Sequence, residues 1–184
     1  MNDRAYSFLG GEEGPWEVIR ISPVVGDCLP EVPRLLVTDG LRAGRNSTWV
    51  LRGVTSNQRY TTRSEETQLV AVQPSLGRDQ ATCAALIPIR KSAEWWSLPQ
   101  DERRLVFEER SHHIALGLTR LPAVARRLYH SRDIGEPFDF LTWFEYAPED
   151  SLSFESLVTE MRATEEWHWV DREVDIRLRR AGAG

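Results

Sequence analysis

Two adjacent histidines, His112 and His113, lie in a segment whose other residues are mainly apolar and favour a helix. A histidine side chain can bind a transition metal or exchange a proton near neutral pH. Successive helix residues point about 100° apart, so these two side chains do not bind one metal ion together. Gly117, one turn beyond His113, leaves room beside that imidazole for a flat ligand. The spacing does not choose between the histidines, and an ordinary half-buried histidine is the commoner alternative.

Arg126 alternates with Val124 and Leu128 on a predicted strand, while Arg127 falls on the opposite, solvent-facing side. A guanidinium group stays charged and offers several fixed hydrogen-bond donors. A buried arginine therefore needs either a carboxylate partner or an anionic ligand. Both readings, an internal ion pair and an anion-binding group, are open at this point.

Two further segments combine charged and aromatic residues. In TEEW (residues 164–167), one of two adjacent carboxylates can orient a histidine, or the pair can simply cap a turn. In KSAEWW (residues 91–96), Lys91 and Trp95 are four residues apart and share a side of a helical turn. They can hold the ring and carboxylates of an amphipathic cofactor, or form a core tryptophan beside an extended lysine. The chain has no Gly-rich phosphate loop, zinc pattern or nucleophile elbow.

The elements that must position these residues are clearest in the second half of the chain. Apolar periodicity predicts the order strand, helix, strand, strand, helix, strand. The expected ranges are strand 82–91, helix 97–118, strand 124–129, strand 138–146, a helix around 154–161 and strand 170–178. This βαββαβ order predicts an α+β, ferredoxin-like domain with an antiparallel sheet and both helices on one face. The last strand alternates apolar and charged residues, which is typical of a half-buried strand.

The first 80 residues give weaker signals. Three glycines among acidic residues indicate a mobile lead-in, with order beginning near Trp16. Short strands are predicted around 16–21, 35–37, 49–56 and 67–73. We therefore expect a mobile N-terminus (1–14), a truncated N-terminal ferredoxin-like part (15–80) and a complete C-terminal domain (81–184), together one structural unit.

Composition excludes several classes of protein. The chain has 184 residues, of which 41% are hydrophobic, enough for a folded core and unlike disordered or collagen-like chains. No stretch approaches the roughly 18 consecutive apolar residues of a membrane span. A net charge of −5 argues against a nucleic-acid surface. Cys28 and Cys83 are too few for a disulfide framework, and the absence of signal-peptide features predicts a cytoplasmic protein.

Four blocks of sequence resemble the chlorite dismutase family. They are IPIRKSAEWW (87–96), SHHIALGLTRLPAVARRLYHSRD (111–133), FDFLTWFEYAPED (138–150) and TEEWHWVDREVDIRLRR (164–180). The short chain is similar to the family's smaller subunits, which keep a complete C-terminal ferredoxin-like domain, have a truncated N-terminal one, and form dimers. The resemblance therefore implies a dimeric α+β barrel, a homodimer and a haem b cofactor.

The resemblance also implies a reaction and a role for each matched residue. The reaction is the detoxifying conversion of chlorite to chloride and dioxygen, through ferryl haem and transient hypochlorite held by a distal arginine. By position, His113 matches the axial iron ligand, Glu166 the carboxylate that accepts its hydrogen bond, and Arg126 the distal arginine that meets chlorite and other small anions. Residues around the haem propionates and edge are matched by Lys91, Trp95 and Trp96. Gln73 matches a distal polar residue that orients the arginine.

Three other functions fit parts of the same pattern. A coproheme decarboxylase shares the proximal ligand, but it has a longer chain and lacks the arginine at Arg126. A non-catalytic haem sensor would use Arg126 to steady a bound gas or anion. A ferredoxin-like dimer without a cofactor would leave all these residues as structural ones. Turnover of a ligand separates such a sensor from the chlorite-converting enzyme.

Overall fold

A computed structural model describes residues 4–55, 60–120 and 123–182. The strands are β1 Ala5–Gly11, β2 Trp16–Val25, β3 Arg34–Asp39, β4 Ser47–Val54, β5 Cys83–Lys91, β6 Ala125–His130, β7 Phe140–Tyr146 and β8 Val170–Arg180. They form a closed antiparallel barrel in the order β1-β3-β2-β8-β5-β7-β6-β4. Closure pairs the edge strands of the two halves, so neither half has to shield an open sheet edge there.

The helices lie mainly in the second half of the chain. They are α1 Arg63–Val72, α2 Ala93–Ser97, α3 Gln100–Arg104, α4 His113–Leu118 and α5 Ser151–Arg162, with a π-helical turn at Leu105–Arg110 and 3₁₀ turns at Arg132–Ile134, Pro148–Asp150 and Glu165–Trp169. The neighbours β8-β5-β7-β6 have the strand order of a ferredoxin-like sheet, with helices in both crossovers. This confirms the predicted α+β, ferredoxin-like fold class. Among the described residues, no helix combines the length and apolar character of a membrane span.

The N-terminal strands repeat the same spatial order, β4-β1-β3-β2, without crossover helices. Leu35 of β3 pairs with Gly10 of β1 and also with Trp16 of β2. Strand β2 therefore starts where β1 ends and continues in the same direction, so no crossover is needed. Residues 40–46 connect β3 to β4 without a helix. The connections β1–β2 and β3–β4 thus lack the helices of the second half, while the truncated N-terminal ferredoxin-like part (15–80) and the division near residue 81 stay predictions.

The expected mobile lead-in at residues 1–14 is wrong for the part described, because Ala5–Gly11 is a barrel strand. Phe8 is fully buried inside the barrel. Gly10 is not a sign of mobility here, since a Cβ at that position would lie 2.2 Å from the ring of Trp49. The glycine is needed so that an indole can pack directly on the strand backbone.

Residues 67–73, predicted as a strand, instead belong to helix α1. Thr62 and Glu65 form a reciprocal capping box, which stabilises the first turn of the helix. Only Leu69 of this helix is buried, so the apolar run around it was a poor guide to strand structure. The single helix expected over 97–118 is also divided: α3 continues into the π-helical turn, and Ser111 and the left-handed residue His112 then separate this turn from α4.

One apolar layer lies on each side of the C-terminal sheet. The barrel interior contains Phe8, Leu35, Leu86, Trp143 and Ile176, from both halves of the chain. The outer layer lies between the sheet and the helices and includes Ile87, Phe144, Phe154 and Val158. The charged face of β8, expected in solvent, is instead buried in this outer layer, because α5 covers it. The cavity described next lies in the same layer.

Candidate functional site

A cavity lies between the outer face of the C-terminal sheet and helices α1, α4 and α5. It has two adjoining lobes with about 770 and 740 Å³ of space not filled by protein atoms, including space open at the mouth. The apolar lobe is lined by Ile87, Phe144, Leu157, Val158 and Met161, among others. The polar lobe is lined by Tyr60, Lys91, Trp95, His130 and Glu166, among others.

His113 lines both lobes, whereas His112 is exposed. His112 has a φ of 52°, a conformation that is uncommon outside glycine. This residue ends the preceding helical turn and restarts the chain as α4, with His113 as its first residue. Glu108 supports the new start, because its Oε2 accepts the backbone N–H of Ile114 at 2.6 Å. The local break therefore separates the two histidines into one inward and one outward side chain.

Glu166 holds the imidazole of His113 through its Nδ1. The Nδ1 of His113 lies 2.6 Å from Glu166 Oε2, and a carboxylate there receives the Nδ1 proton. The Nε2 of His113 is then left as the ring nitrogen able to bind a ligand, and it has no partner among the described residues. The backbone N–H of Glu166 donates to Ser111 Oγ at 2.8 Å. Glu165 points away and pairs with Arg110 at 2.9 Å.

Lys91 completes this buried group of charges. Its Nζ lies 2.7 Å from Glu166 Oε1 and 3.2 Å from the carbonyl oxygen of the same residue. Lys91 and Glu166 are 5% and 4% exposed. The ammonium group also lies 4.8 Å from the centre of the Trp95 ring, a distance typical of cation–π contact. Lys91 is the only lysine in the sequence.

Aromatic rings fix the plane of the His113 imidazole. Phe107 stacks on it with ring centres 4.3 Å apart, and Trp167 is nearly parallel, with centres 6.4 Å apart and planes 17° apart. The Nζ of Lys91 lies 5.5 Å from the Trp167 ring. Imidazole, carboxylate and ammonium groups are thus held in one packed unit.

The charge of Lys91 and the imidazole of His113 lower the pKa of Glu166 from 4.5 to about 2, although burial alone would raise it. The carboxylate is therefore ionised at neutral pH. Since its pKa is lower in the folded protein than in the unfolded chain, this group stabilises the fold fully above about pH 4.5. The stabilisation is lost as the pH falls from about 4.5 towards 2.

We expect the free energy of unfolding of the cofactor-free protein to fall across this acid range, with Glu166 contributing at most about 3 kcal/mol. Urea denaturation between pH 6 and about pH 2.5 measures it. A Glu166→Gln variant should be less stable at neutral pH and should show a flatter dependence on pH. Parallel curves for the two proteins would contradict this assignment.

We expect Lys91→Met to destabilise the protein by about 3 kcal/mol, because it leaves the buried Glu166 carboxylate without its cationic partner. The acid limb should also move to higher pH, since the pKa of Glu166 rises. Arg90→Met is the matched control, because the adjacent Arg90 pairs with Asp171 at a site where both side chains are about half exposed. Urea denaturation of both variants checks this, and equal losses of stability would contradict it.

Arg126 enters the cavity from the sheet. It alternates with Arg127 on β6, shares a face with Leu128 and His130, and lines both lobes. Arg127 is exposed on the other side, as predicted. Burial lowers the pKa of Arg126, and no carboxylate among the described residues offsets this loss of solvation. Among the described residues, Arg126 therefore forms no internal ion pair, and its guanidinium is available to bind an anion.

The remaining predicted site residues differ in their placement. Gln73 follows α1. Its Nε2 donates a hydrogen bond to the backbone carbonyl of Arg126 and not to the guanidinium side of that residue. Trp95 lines the polar lobe and is 1% exposed, and its Nε1 has no hydrogen-bond partner among the described residues. Trp96 does not line either lobe. Its Nε1 donates to Asp139 Oδ2 at 3.0 Å. The guanidinium carbon of Arg132 lies over its ring, 3.9 Å from the ring centre.

Sequence reasoning missed several residues of the cavity. Period-2 alternation on β6 already places His130 on the face of Arg126, so this signal was present. Trp167 is adjacent to Glu166 in the TEEW segment. Phe107 reaches His113 only because of the π-helical turn, and Tyr60 comes from a distant loop, so neither had a recognisable pattern.

Comparisons with known proteins agree on one family. A family model described as chlorite dismutase matches residues 6–180. A solved structure of dimeric chlorite dismutases from Nitrobacter winogradskyi is 57% identical, covering 96% of this chain and 99% of that chain with a TM-score of 0.91. Chlorite dismutase from Candidatus Nitrospira defluvii, solved in complex with imidazole, is 32% identical over 75% of this chain and 58% of that chain, with a TM-score of 0.58.

A curated chlorite dismutase from Ideonella dechloratans is 42% identical over 67 residues, or 36% of this chain. The match spans only 22% of that protein. Similarity to this curated relative is therefore local, whereas similarity to the solved Nitrobacter structure extends over nearly the whole of both chains.

Proposed function

Because this chain belongs to the chlorite dismutase family, we propose that it is an enzyme that binds haem b and converts chlorite to chloride and dioxygen. One observation carries the proposal. A histidine held by a buried carboxylate and an arginine without an anionic partner among the described residues line the same cavity. The first is suited to iron and the second to a small anion.

The residues of the cavity fit a haem group. Trp95 presents a buried N–H without a partner among the described residues, a donor suited to a haem carboxylate. Gly117 lines the apolar lobe, and a Cβ there would meet no atom within 4 Å, so a flat ring has space beside His113. The same lobe as Trp95 also contains Tyr60 and His130, so its residues would hold the carboxylates of haem.

In this proposal His113 would hold the haem iron through Nε2, and Glu166 would fix the tautomer of the imidazole and increase its electron donation. Lys91 keeps Glu166 ionised and its carboxylate in place. Trp95 contributes at the propionate edge. Trp96 supports that edge indirectly, through Asp139, which also accepts the backbone N–H of Lys91 at 2.7 Å.

When bound, haem would supply an iron centre able to exchange an oxygen atom with chlorite. The protein's own contribution toward the anion would be Arg126. Its charge attracts the chlorite anion and then retains hypochlorite, which carries the same charge, until the two oxygen atoms are joined. Gln73 fixes the backbone at Arg126 and so limits where the guanidinium can reach. The conversion of chlorite to chloride and dioxygen involves no net proton transfer, so the site needs no general acid.

We further assign to the protein a homodimeric assembly, supported by its 57% identity to the dimeric Nitrobacter proteins. The substrates of the site are chlorite and other small anions.

The proposed activity is tested by adding chlorite to purified, haem-loaded protein and recording dioxygen with an oxygen electrode. Rapid release of one dioxygen per chlorite is expected, with free haemin at the same concentration as the control. Haem binding without dioxygen release above that control would contradict the proposed activity.

A further inference from the structure

A row of buried charged residues under α5 has no part in the proposed reaction. Glu173, Asp175 and Arg177 alternate along β8 and are 0%, 2% and 8% exposed. Arg162, at the end of α5, lies against this row. Its Nη2 is 2.6 Å from Glu173 Oε1 and 2.8 Å from Asp175 Oδ2. Buried ion pairs often stabilise a fold no better than apolar residues of similar volume, so packing alone does not account for the row.

Glu173 is the member of this row that reaches the cavity. It lines the apolar lobe, and its two oxygen atoms have different partners. Oε1 accepts from Nε and Nη2 of Arg162, at 2.9 and 2.6 Å. Oε2 accepts the indole N–H of Trp167 at 2.7 Å. A carboxylate anchored by α5 therefore sets the position of one tryptophan ring.

That tryptophan ring is one of the two that lie nearly parallel to the imidazole of His113, as described above. It also lies beside the ammonium group of Lys91. Glu166 sets the direction of the imidazole through one hydrogen bond, but a flat neighbour is what limits the tilt of the ring. A shift of the Trp167 indole would thus disturb both His113 and Lys91, the cationic partner of Glu166.

We propose that Glu173, held by Arg162, is a positioning residue that fixes the Trp167 indole and, through it, the plane of the His113 imidazole at the iron. This inference rests on the proposed function, because the imidazole plane matters to the reaction only if His113 binds iron. The device is a relay from helix α5 through a carboxylate and an indole to the axial ligand. Such supporting contacts hold a ligand within the narrow range of angles that its chemistry requires.

Two variants test the relay, and a third variant serves as the matched control. Trp167→Phe keeps a flat ring but removes the N–H that Glu173 accepts. Glu173→Met removes the acceptor at similar volume, while Arg162 keeps Asp175 as its partner. The control is Glu145→Met, since Glu145 is also buried on a strand and accepts an indole N–H, that of Trp143 at 2.9 Å. Glu145 lines neither lobe of the cavity.

The readouts are the iron–imidazole stretching band of the ferrous, haem-loaded protein, recorded by resonance Raman spectroscopy, and the rate of haem transfer to excess apomyoglobin. We expect both test variants to shift or broaden the band and to release haem about tenfold faster, as for other contacts that support a metal ligand. Glu145→Met should change neither quantity.

An unchanged band and rate in both test variants would overturn the relay, as would equal changes in the control. If Glu173→Met does not fold, Trp167→Phe decides the question alone. Failure of the proposed function looks different: the wild-type protein would then show no iron–imidazole band that depends on His113.

Discussion

We expect the His113→Ala variant to bind haem at least about 100-fold more weakly than the wild-type protein, because loss of an axial ligand should exceed the 10- to 100-fold cost of losing a supporting contact. His113 is the imidazole that lines the cavity and is held by Glu166. Titration of the cofactor-free protein with haemin, followed by its absorption spectrum, measures the affinity. Added imidazole should restore part of the spectrum of the bound haem, since the cavity left by the side chain has the size of the missing ring.

The matched control is the neighbouring His112, which is exposed. His112→Ala should bind haem like the wild type, although alanine is strained at a φ of 52°. His112→Asn is therefore the better control, because asparagine tolerates the left-handed conformation. A weaker affinity in the His112 variants than in His113→Ala would mean that the wrong histidine has been assigned to the iron.

The Arg126→Ala variant should still bind haem but should lose control of the reaction. A hydrogen bond to a charged group contributes about 1.5–3 kcal/mol, so loss of the guanidinium should increase hypochlorite escape about tenfold or more. The number of turnovers before inactivation should fall accordingly. An oxygen electrode measures turnover, and chlorination of an added dye measures escaping hypochlorite. Methionine, which consumes hypochlorite, should prolong the activity of the variant.

Arg127→Ala is the control for this change, since Arg127 is adjacent in sequence but exposed, with its guanidinium near the ring of Tyr6. It should behave like the wild type in both assays. Arg126→Lys should fall between the two, because it keeps the charge but not the planar set of donors. An Arg126→Ala protein with unchanged turnover number and no released hypochlorite would refute the role of this residue.

The C-terminal half could be predicted well because its apolar periodicity matches its secondary structure. Both helix-flanked crossovers and the strand over 83–91 follow from local pattern. The N-terminal half could not, because its strands depend on distant partners. Gly10 is a strand residue only because Trp49, on the neighbouring strand, packs on it. The run Leu69–Val72 resembles a strand, but the capping box that begins at Thr62 outweighs it.

For the site, the sequence predicted which residue types take part but not how they are arranged. Nothing local predicts that Glu166 and not Glu165 faces His113, since that choice depends on a 3₁₀ turn held by Ser111. Alternation predicted an inward Arg126 correctly. The same alternation on β8 suggested a solvated face, although α5 covers it and Glu173 is fully buried there. Periodicity shows that two faces differ, but not which layer covers each.

The burial of the single lysine gives the protein an unusual chemical property. All other basic side chains that carry a permanent charge are arginines, which do not react with amine-selective reagents under mild conditions, so Lys91 is the one side-chain amine available to acylation. In the closed protein its Nζ is bound to Glu166 and shielded by aromatic rings. The rate at which an acylating reagent labels Lys91 therefore reports how often the packed group of Lys91, Glu166 and the surrounding aromatic rings opens. A tightly bound occupant of the cavity should slow that labelling.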